Sequence, residues 1–426
     1  MPVRDNIWNM ETLRLRCIRI WFLLVASVLS SAQDPFYLKS GDTVVFYGDS
    51  ITDQRLYTTF VETYALTRFP QYDLTFIHSG WGGDRVGGGG GGPIDLRLKR
   101  DVLAYKPTVV TIMLGMNDGG YRAFNEPAFQ TYATGYTNIV KSLKAALPGV
   151  RITAIEPSPY DDVTREPLFP GGYNAVLVRY GGLLRELGAA ENLKVADMNS
   201  PVVQDLVKAN EMDPEGAKKL LPDRVHPGAA GHLLMAKALL KAWDAPAVVT
   251  SVSIDASKPD TIKTENTTIT DVKSAENELS WSQLDGALPF PILDPALSLA
   301  VKASDIEQSL NRQPLRITGL APKQYRLTID GELVGSFSAG ELAEGVNLAM
   351  LPTPMVRQAA DVHSLTLKHT SIHNTRWRQV QTPLEKDALP ATQDALKALD
   401  ALEKEIVQRQ KTAARPKPHQ YRLTGD

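Results

Sequence analysis

Short apolar runs alternate with longer stretches of helical periodicity between residues 33 and 243. The runs predict strands at residues 43–47, 74–78, 108–114, 151–155 and 193–197. The stretches between them predict helices at residues 57–68, 132–147, 173–187 and 228–243, because their apolar residues recur on one face. Strands that alternate with helices are typical of a parallel sheet covered by helices. This part of the chain is therefore predicted to be an α/β fold.

The pattern changes after about residue 246. A sequence rich in Ser, Thr and Asp replaces the alternation of strands and helices. Runs with strand-like patterns follow at residues 315–320 and 325–337. The second run folds at Asp330-Gly331, which is a strong hairpin signal. Helical periodicity returns at residues 355–378 and 391–409, and residues 416–426 are expected to be loose. The predicted divisions are residues 33–248, a β-rich accessory module at 249–353, and helices with a loose tail at 354–426.

The first 32 residues have the order of a signal peptide. Three arginines precede an apolar run at residues 20–29, and Ser30-Ser31-Ala32 offers small residues for cleavage. The run is short for a membrane span, although an uncleaved anchor remains the alternative. Cleavage after Ala32 would remove Cys17, the only cysteine, so neither disulfides nor thiol chemistry would serve the exported protein. We therefore expect export to the periplasm or beyond, without stable membrane insertion afterwards.

The charge composition of the chain bears on which kinds of partner it could bind. The 426-residue chain is 43% hydrophobic and 22% charged, with a net charge of −2 and no basic tract, which argues against nucleic acid. Six consecutive glycines at residues 87–92 resemble a phosphate-binding loop only superficially, since no Lys-Ser/Thr pair follows. A flexible or closely packed loop at the rim of a site is the favoured interpretation. The sequence does not predict an oligomeric state.

Polar residues of catalytic type follow three of the predicted strands. Ser50, Gly83 and Asn117 each come after a strand, and Asp223 and His226 precede the last helix of the unit. Parallel strands present their carboxyl ends at one edge of a sheet, so these groups can meet there. A serine nucleophile needs an imidazole that takes its proton and a carboxylate that orients the imidazole. An oxyanion needs fixed donors, such as a glycine N–H and an asparagine amide.

At these positions the sequence resembles the SGNH, or GDSL-like, hydrolase superfamily. The resemblance covers roughly residues 42–243 and rests on four blocks in order: Gly48-Asp49-Ser50, Gly80-Trp81-Gly82-Gly83-Asp84, Gly115-Met116-Asn117-Asp118 and Asp223-Arg224-Val225-His226. It departs from the family pattern at Ile51, where the older motif has Leu, and at His78, where many members have Asn. A single block would be weak, but four at the expected element boundaries are specific.

The resemblance implies both a fold and an activity. The fold is a flavodoxin-like three-layer α/β/α sandwich with a parallel sheet, to which the smaller C-terminal region is added. The activity is that of a serine esterase, with Ser50 as nucleophile, His226 as base and Asp223 as the residue that orients it. The oxyanion hole would consist of the Ser50 and Gly83 N–H groups and the Asn117 amide. Neither a metal nor an organic cofactor is expected.

Further polar and aromatic residues lie beside these blocks. Trp81 and Arg85 are candidate substrate-binding residues, although Trp81 could equally be core and Arg85 could brace the glycine loop. Asp53 and Asp118 are interpreted as local hydrogen-bonding supports and not as catalysts.

The remaining histidines are not assigned to the site. His232 is interpreted as a structural or surface residue. His363, His369 and His373 lie on a predicted helix, and the last two have a spacing of four that suits a metal. A third ligand is not evident nearby, so solvated or capping roles are favoured for them.

These observations predict an exported serine esterase that forms an acyl-enzyme on Ser50. The predicted substrate is an O-acetylated carbohydrate or another small-molecule or glycan ester. A lipase or broad-specificity carboxylesterase is the alternative within the same class. The alternative of another class is a catalytically idle polysaccharide-binding or scaffold protein in which the C-terminal region does the work.

Overall fold

The computed structural model describes residues 36–425 apart from residues 259, 260, 276 and 388. The predicted signal peptide lies outside the described residues, and the predicted boundaries at 32, 248 and 353 stay predictions. Of the helices in the described part, none has both the length and the apolar character that a membrane span requires.

A parallel sheet lies at the centre of the first part of the chain. The strands of this part are β1 (Thr43–Gly48), β2 (Thr75–Gly80), β3 (Gly88–Gly89), β4 (Gly92–Pro93), β5 (Val109–Met113), β6 (Arg151–Ile155) and β7 (Lys194–Ala196). The sheet has the order β2-β1-β5-β6-β7, and every neighbouring pair in it is parallel. Counted along the chain, this is the 2-1-3-4-5 order of flavodoxin-like folds. The predicted fold class is confirmed.

Helices cover this sheet. They are α1 (Ser50–Asp53), α2 (Leu56–Arg68), α3 (Ile94–Asp101), α4 (Glu126–Ala146), α5 (Gly172–Glu191), α6 (Ser200–Met212), α7 (Pro214–Ala217) and α8 (Ala229–Ala242). Helix α4 begins six residues before its predicted start, because the Asn125 side chain caps it by accepting a hydrogen bond from Ala128 N. Helices α3, α6 and α7 were not predicted. The strand side chains and the inner helix faces form one hydrophobic core.

The second part of the chain is built on two further sheets. Its strands are β8 (Ser251–Asp255), β9 (Ile262–Glu265), β10 (Thr267–Ala275), β11 (Glu278–Asp285), β12 (Pro314–Thr318), β13 (Gln324–Ile329), β14 (Glu332–Ser338), β15 (Val346–Asn347) and β16 (Pro418–Gly425). Their orders are β10-β11-β16-β13-β14 and β15-β12-β8-β9. Strands β13 and β14 form the predicted hairpin around Asp330-Gly331. The helices of this part are α9 (Ser298–Ala303), α10 (Ile306–Leu310), α11 (Ala339–Glu344), α12 (Pro354–Asn374), α13 (Thr382–Leu384) and α14 (Pro390–Ala413).

The C-terminal residues do not form a loose tail, so that prediction was wrong. Strand β16 lies in the middle of its sheet, where it pairs with β11 on one side and β13 on the other. Its side chains alternate between core and solvent, and His419, Tyr421 and Leu423 point inward. Tyr421 stacks on Trp281 at a ring-centroid distance of 5.0 Å. The alternation of side chains in this segment is typical of a strand, but segments at the end of a chain are commonly loose, and the prediction followed that tendency.

Helix α2 connects the two parts of the chain. All of its residues except Leu56 are buried, because α8 packs on one side of it and α12 on another. The Arg68 guanidinium at its end donates to three main-chain carbonyls, those of Pro246, Val248 and Leu310. The C-terminal helices therefore pack directly against the parallel-sheet unit.

The glycine run at residues 87–92 forms a tight hairpin from β3 and β4. Of the two predicted forms, a flexible loop and a closely packed loop, the structure has the second. Gly88 has φ +93°, and a Cβ there would lie 2.3 Å from the carbonyl oxygen of Gly92. Gly87, by contrast, has open space around the position of a Cβ. Glycine is therefore required at position 88, where both backbone conformation and space exclude a side chain.

We expect Gly88→Ala to lower the free energy of unfolding by about 1–3 kcal/mol, because the alanine would occupy a strained left-handed conformation. Gly87→Ala is the matched control and should change this value by less than about 0.5 kcal/mol. Urea unfolding of the two variants and the parent provides the comparison. Equal stability of the two variants would contradict the packed-hairpin interpretation.

Candidate active site

The turn between β1 and α1 positions Ser50 above the carboxyl edge of the sheet. Gly48 ends the strand, and a Cβ at that position would lie 2.2 Å from Thr52 Oγ1 and 2.7 Å from the Met113 carbonyl oxygen. Asp49 then caps α1, since its Oδ1 accepts a hydrogen bond of 3.0 Å from Ile51 N. Burial raises the pKa of Asp49 to about 7. Ser50 is the first residue of the helix, so its hydroxyl lies at the helix start.

Ser50, His226 and Asp223 form a continuous chain of hydrogen bonds. The Ser50 Oγ lies 2.8 Å from His226 Nε2, and His226 Nδ1 lies 2.7 Å from Asp223 Oδ2. The second oxygen of Asp223 accepts from the main-chain N–H groups of Val225 and His226, at 3.0 and 2.6 Å. Partial burial acts to raise the pKa of Asp223, but these hydrogen bonds outweigh it and lower the pKa. The structure thus brings together residues 176 positions apart in the sequence.

The three predicted oxyanion residues lie on neighbouring loops. A Cβ on Gly82 would come within 3.9 Å of Ser50 Cβ, so the loop that carries Gly83 adjoins the serine. Gly83 has φ +77° and open space at its Cβ position. Asn117 Nδ2 donates to the Asp84 carbonyl oxygen at 3.0 Å, next to Gly83. A side-chain amide has two N–H donors, so this bond orients the group and uses one of them.

Two carboxylates hold the loops of this site in place. Asp53 Oδ2 accepts from Gly82 N at 3.3 Å, and Asp118 Oδ1 accepts from Val86 N at 3.0 Å. Burial raises the pKa of Asp118 to about 6. Both residues therefore have the supporting hydrogen bonds that the sequence predicted for them.

Trp81 and Arg85 occupy different surroundings from each other. The Trp81 ring packs edge-on against Trp377, with a centroid distance of 5.6 Å, and the Arg378 guanidinium carbon lies 3.2 Å from its centre. Arg85 is exposed, and its main chain pairs with that of Gly88 at the base of the glycine hairpin. Trp81 thus packs against the C-terminal region, and the main chain of Arg85 braces the loop.

A cleft of about 400 Å³ opens beside Ser50, and the C-terminal region supplies one wall of it. Its lining residues in the described part of the chain are all polar: Ser50, Asp53, Gln54, Arg55, Asn374, Arg378 and Gln379. Arg378 and Gln379 lie on a π-helix, Thr375–Gln381, that continues α12. π-Helical segments are rare and occur frequently at functional sites. Sequence reasoning missed this wall, since no local motif marks residues more than 300 positions from the serine.

One group in the described residues has the side chains to hold a metal ion. The donor atoms of Glu62, His78 and His369 lie within 4.8 Å of one another, and all three residues are buried. Each of these atoms already has a hydrogen bond: Glu62 lies 2.9 Å from each imidazole. The group therefore forms a satisfied network without an ion.

The predicted solvated or capping roles of His369 and His373 were wrong. Both side chains are buried and contact Glu403 Oε1, at 3.2 and 3.1 Å. Both histidines lie on the buried face of α12, which packs against α2 and α14.

His232 and His363 have structural surroundings. His232 is buried, and its two ring nitrogens bond Tyr57 N and Gln54 Oε1. Burial lowers the pKa of His232 to about 3, so the ring is neutral. His363 stacks on Phe60 and bonds Thr63. The structural interpretation of His232 agrees with these contacts.

Comparison with known families accounts for this arrangement. Residues 46–234 match the model of the GDSL-like Lipase/Acylhydrolase family. This part of the chain is a domain of that family. All four sequence blocks lie within the hydrolase domain, and their residues converge at one edge of its sheet.

Similar proteins include an acetylxylan esterase, a diltiazem-metabolizing enzyme and a lipase/acylhydrolase. An acetylxylan esterase of Geobacillus stearothermophilus is 26% identical over 232 residues, which are 47% of this chain and 94% of the relative. The structure of a gut microbial diltiazem-metabolizing enzyme is 25% identical with a TM-score of 0.81, and the match covers 92% of this chain and all of that one. A lipase/acylhydrolase from Enterococcus faecalis is 23% identical with a TM-score of 0.34, over 47% of this chain and 94% of that one. The match to the second of these extends well beyond the hydrolase domain.

Proposed function

We propose that this protein is an exported serine esterase that removes acetyl groups from O-acetylated carbohydrates through an acyl-enzyme on Ser50. The observation that carries the proposal is the hydrogen-bonded chain from Ser50 Oγ through His226 to Asp223, at 2.8 and 2.7 Å. Such a chain activates a hydroxyl that is otherwise a weak nucleophile. Its position at the edge of a hydrolase-family domain supports an ester bond as the target.

In the first half-reaction, Ser50 Oγ attacks the acyl carbon of the ester while its proton passes to His226 Nε2. The carbonyl electrons move onto oxygen and form a tetrahedral oxyanion. Asp223 stays ionised, since its pKa is lowered, and it stabilises the imidazolium through Nδ1. His226 then donates its proton to the departing alcohol as the carbon–oxygen bond breaks, which leaves the acyl group on Ser50.

In the second half-reaction, His226 takes a proton from water, and the resulting hydroxide attacks the acyl-enzyme. The carbon–serine oxygen bond then breaks, Ser50 regains its proton from His226, and the carboxylic acid leaves. In both halves the oxyanion would accept hydrogen bonds from Ser50 N, Gly83 N and Asn117 Nδ2. Fixed donors of this kind contribute about 3–4 kcal/mol each to transition-state stabilisation.

The polar lining of the cleft supports a hydrophilic substrate. Every lining residue in the described part carries a hydroxyl, amide, carboxylate or guanidinium, groups that can hydrogen-bond a sugar. Long acyl chains require apolar surface, so the lipase alternative receives no support from this cleft. The similarity to an acetylxylan esterase is consistent with an acetylated carbohydrate. Export rests on the sequence of the first 32 residues alone.

A labelling experiment tests the nucleophile, and a substrate series tests the acyl group. We expect a fluorophosphonate to modify Ser50, as located by mass spectrometry, and the exposed Ser142 on α4 to stay unmodified. We also expect the ratio kcat/KM to fall from p-nitrophenyl acetate to p-nitrophenyl esters of long fatty acids. Labelling elsewhere would refute the nucleophile, and a preference for long chains would refute deacetylation.

A further inference from the structure

The cleft beside Ser50 presents two guanidinium groups. Arg55 lies at the start of α2 and Arg378 on the π-helix, and both line the cleft with Ser50. Their side chains keep 27% and 23% exposure. Neither residue belongs to the triad or to the predicted oxyanion hole.

Arg55 is held in place from two directions. Its backbone has φ +61°, an uncommon left-handed conformation for a residue with a side chain. Its Nη1 donates to the Asp53 carbonyl oxygen at 2.7 Å and to Asn374 Oδ1 at 3.1 Å. The second bond joins the hydrolase domain to α12, so the C-terminal region orients this side chain beside the nucleophile.

Arg378 is held against an aromatic face. Its guanidinium carbon lies 3.2 Å from the centre of the Trp81 ring, and Trp81 directly precedes the loop that carries Gly83. A planar guanidinium stacks favourably on an aromatic ring and stays charged. The stack on Trp81 therefore holds the guanidinium at the cleft, where 23% of the side chain is exposed.

The cleft lining carries more positive than negative charge. Asp53 is the one acidic residue that lines it in the described part, and it lies 3.6 Å from Arg55 and 3.8 Å from Arg378. The same carboxylate also accepts from Gly82 N. One carboxylate therefore serves two guanidiniums and a backbone donor, so the cleft can accept a second anionic group.

We propose that Arg378, together with Arg55, binds a carboxylate on the alcohol part of the substrate, so that the preferred ester is an O-acetylated uronic acid unit. This inference rests on the proposed deacetylase function, in which the acetyl ester itself is uncharged and cannot account for the two guanidiniums. Arginine is the residue suited to bidentate carboxylate recognition. The π-helix would then be a specificity-determining element that the C-terminal region contributes to the hydrolase domain.

The test compares two substrates that differ only at one carbon: the mono-O-acetylated methyl glycosides of galacturonic acid and of galactose. We expect the parent protein to favour the uronic acid by about 10- to 100-fold in kcat/KM, the range for a charge-assisted hydrogen bond. Arg378→Gln should lower this preference about tenfold. Because the preference is a ratio within one variant, a general loss of activity cancels. The preference of the parent should also fall with added salt.

Arg376→Gln is the matched control. It removes the same charge from the same π-helix, but Arg376 pairs with Asp400 at 2.6 Å and does not line the cleft. It should keep the preference of the parent. Equal rates of the parent on both glycosides, or an equal loss of preference in both variants, would overturn the uronate inference and leave deacetylation intact. Hydrolysis of neither glycoside by a protein that cleaves p-nitrophenyl acetate would overturn both.

Discussion

Ser50→Ala should lower kcat for ester hydrolysis by about 10⁴- to 10⁶-fold, since removal of a triad serine abolishes the covalent route and leaves only the binding and oxyanion contributions. The Ser50 hydroxyl lies 2.8 Å from the imidazole that would take its proton, and no other hydroxyl is hydrogen-bonded to His226 in the described part of the chain. The measurement is the steady-state rate on p-nitrophenyl acetate.

Two controls separate a catalytic effect from a structural one. The half-buried Ser50 side chain contributes little packing, so the thermal unfolding midpoint of Ser50→Ala should stay near that of the parent. Ser142→Ala, an exposed change on α4, should keep the parent rate. If Ser50→Ala hydrolyses the ester as fast as the parent, the acyl-enzyme mechanism is wrong. That result would favour the alternative of a catalytically idle binding or scaffold protein.

Glu62→Gln should lower the free energy of unfolding by about 3 kcal/mol, because it removes one partner from a buried ion-pair network. Glu62 accepts hydrogen bonds of 2.9 Å from His78, His369 and Gln410, which belong to β2, α12 and α14. A neutral glutamine keeps the shape of the side chain but leaves the charged imidazole of His369 with less compensation. Urea unfolding at pH 6 measures the effect.

The effect should depend on pH in a definite direction. Burial acts to raise the pKa of Glu62, but the charge of His369 outweighs it and lowers the pKa to about 2. Burial acts to lower the pKa of His369, but the charge of Glu62 outweighs it and raises the pKa to about 10. Between pH 4.5 and 6.5 the pair is therefore charged in the folded chain, and each group is at least half charged in the unfolded chain.

Its contribution to stability is lost as the pH falls from 4.5 towards 2 and as it rises from 6.5 towards 10. The stability difference between parent and Glu62→Gln should accordingly be largest near pH 4.5–6.5 and smaller at pH 9. Glu405→Gln serves as the control, because its pair with Arg409 is exposed and should contribute less than about 0.5 kcal/mol at any pH. A difference that grows from pH 6 to pH 9 would contradict the assigned charges.

Much of the hydrolase domain was predictable from local patterns. Each central strand is a short apolar run because both of its faces are buried, and the polar blocks that follow the strands mark where the sheet edge meets solvent. The candidate triad could be predicted for the same reason: Ser50 follows β1 closely, and Asp223 and His226 are three residues apart before α8. Parallel topology then brings these positions to one edge.

The C-terminal region was predicted less well. Strand β16 was mistaken for a loose tail. Its alternation of inward and outward side chains is only six residues long, and the strand is stabilised by its pairing with β11 and β13. Likewise, the buried face of α12 is apolar at its start but carries Thr366, His369 and His373 further along, and these polar residues are buried where α2 and α14 cover the helix. A local sequence pattern indicates which side chains favour burial. It does not indicate which distant residue forms the hydrogen bonds of a buried polar side chain.

The sequence by itself determined the parallel sheet and the identity of the candidate catalytic residues, because both depend on features a few residues long. Only the tertiary structure decided what surrounds Ser50. The wall formed by Asn374 and Arg378, and the buried link from Glu62 to His369, join positions about 300 residues apart. No periodicity or motif encodes such pairs, since the charge and hydrogen bonds of each side chain are balanced only after the chain has folded.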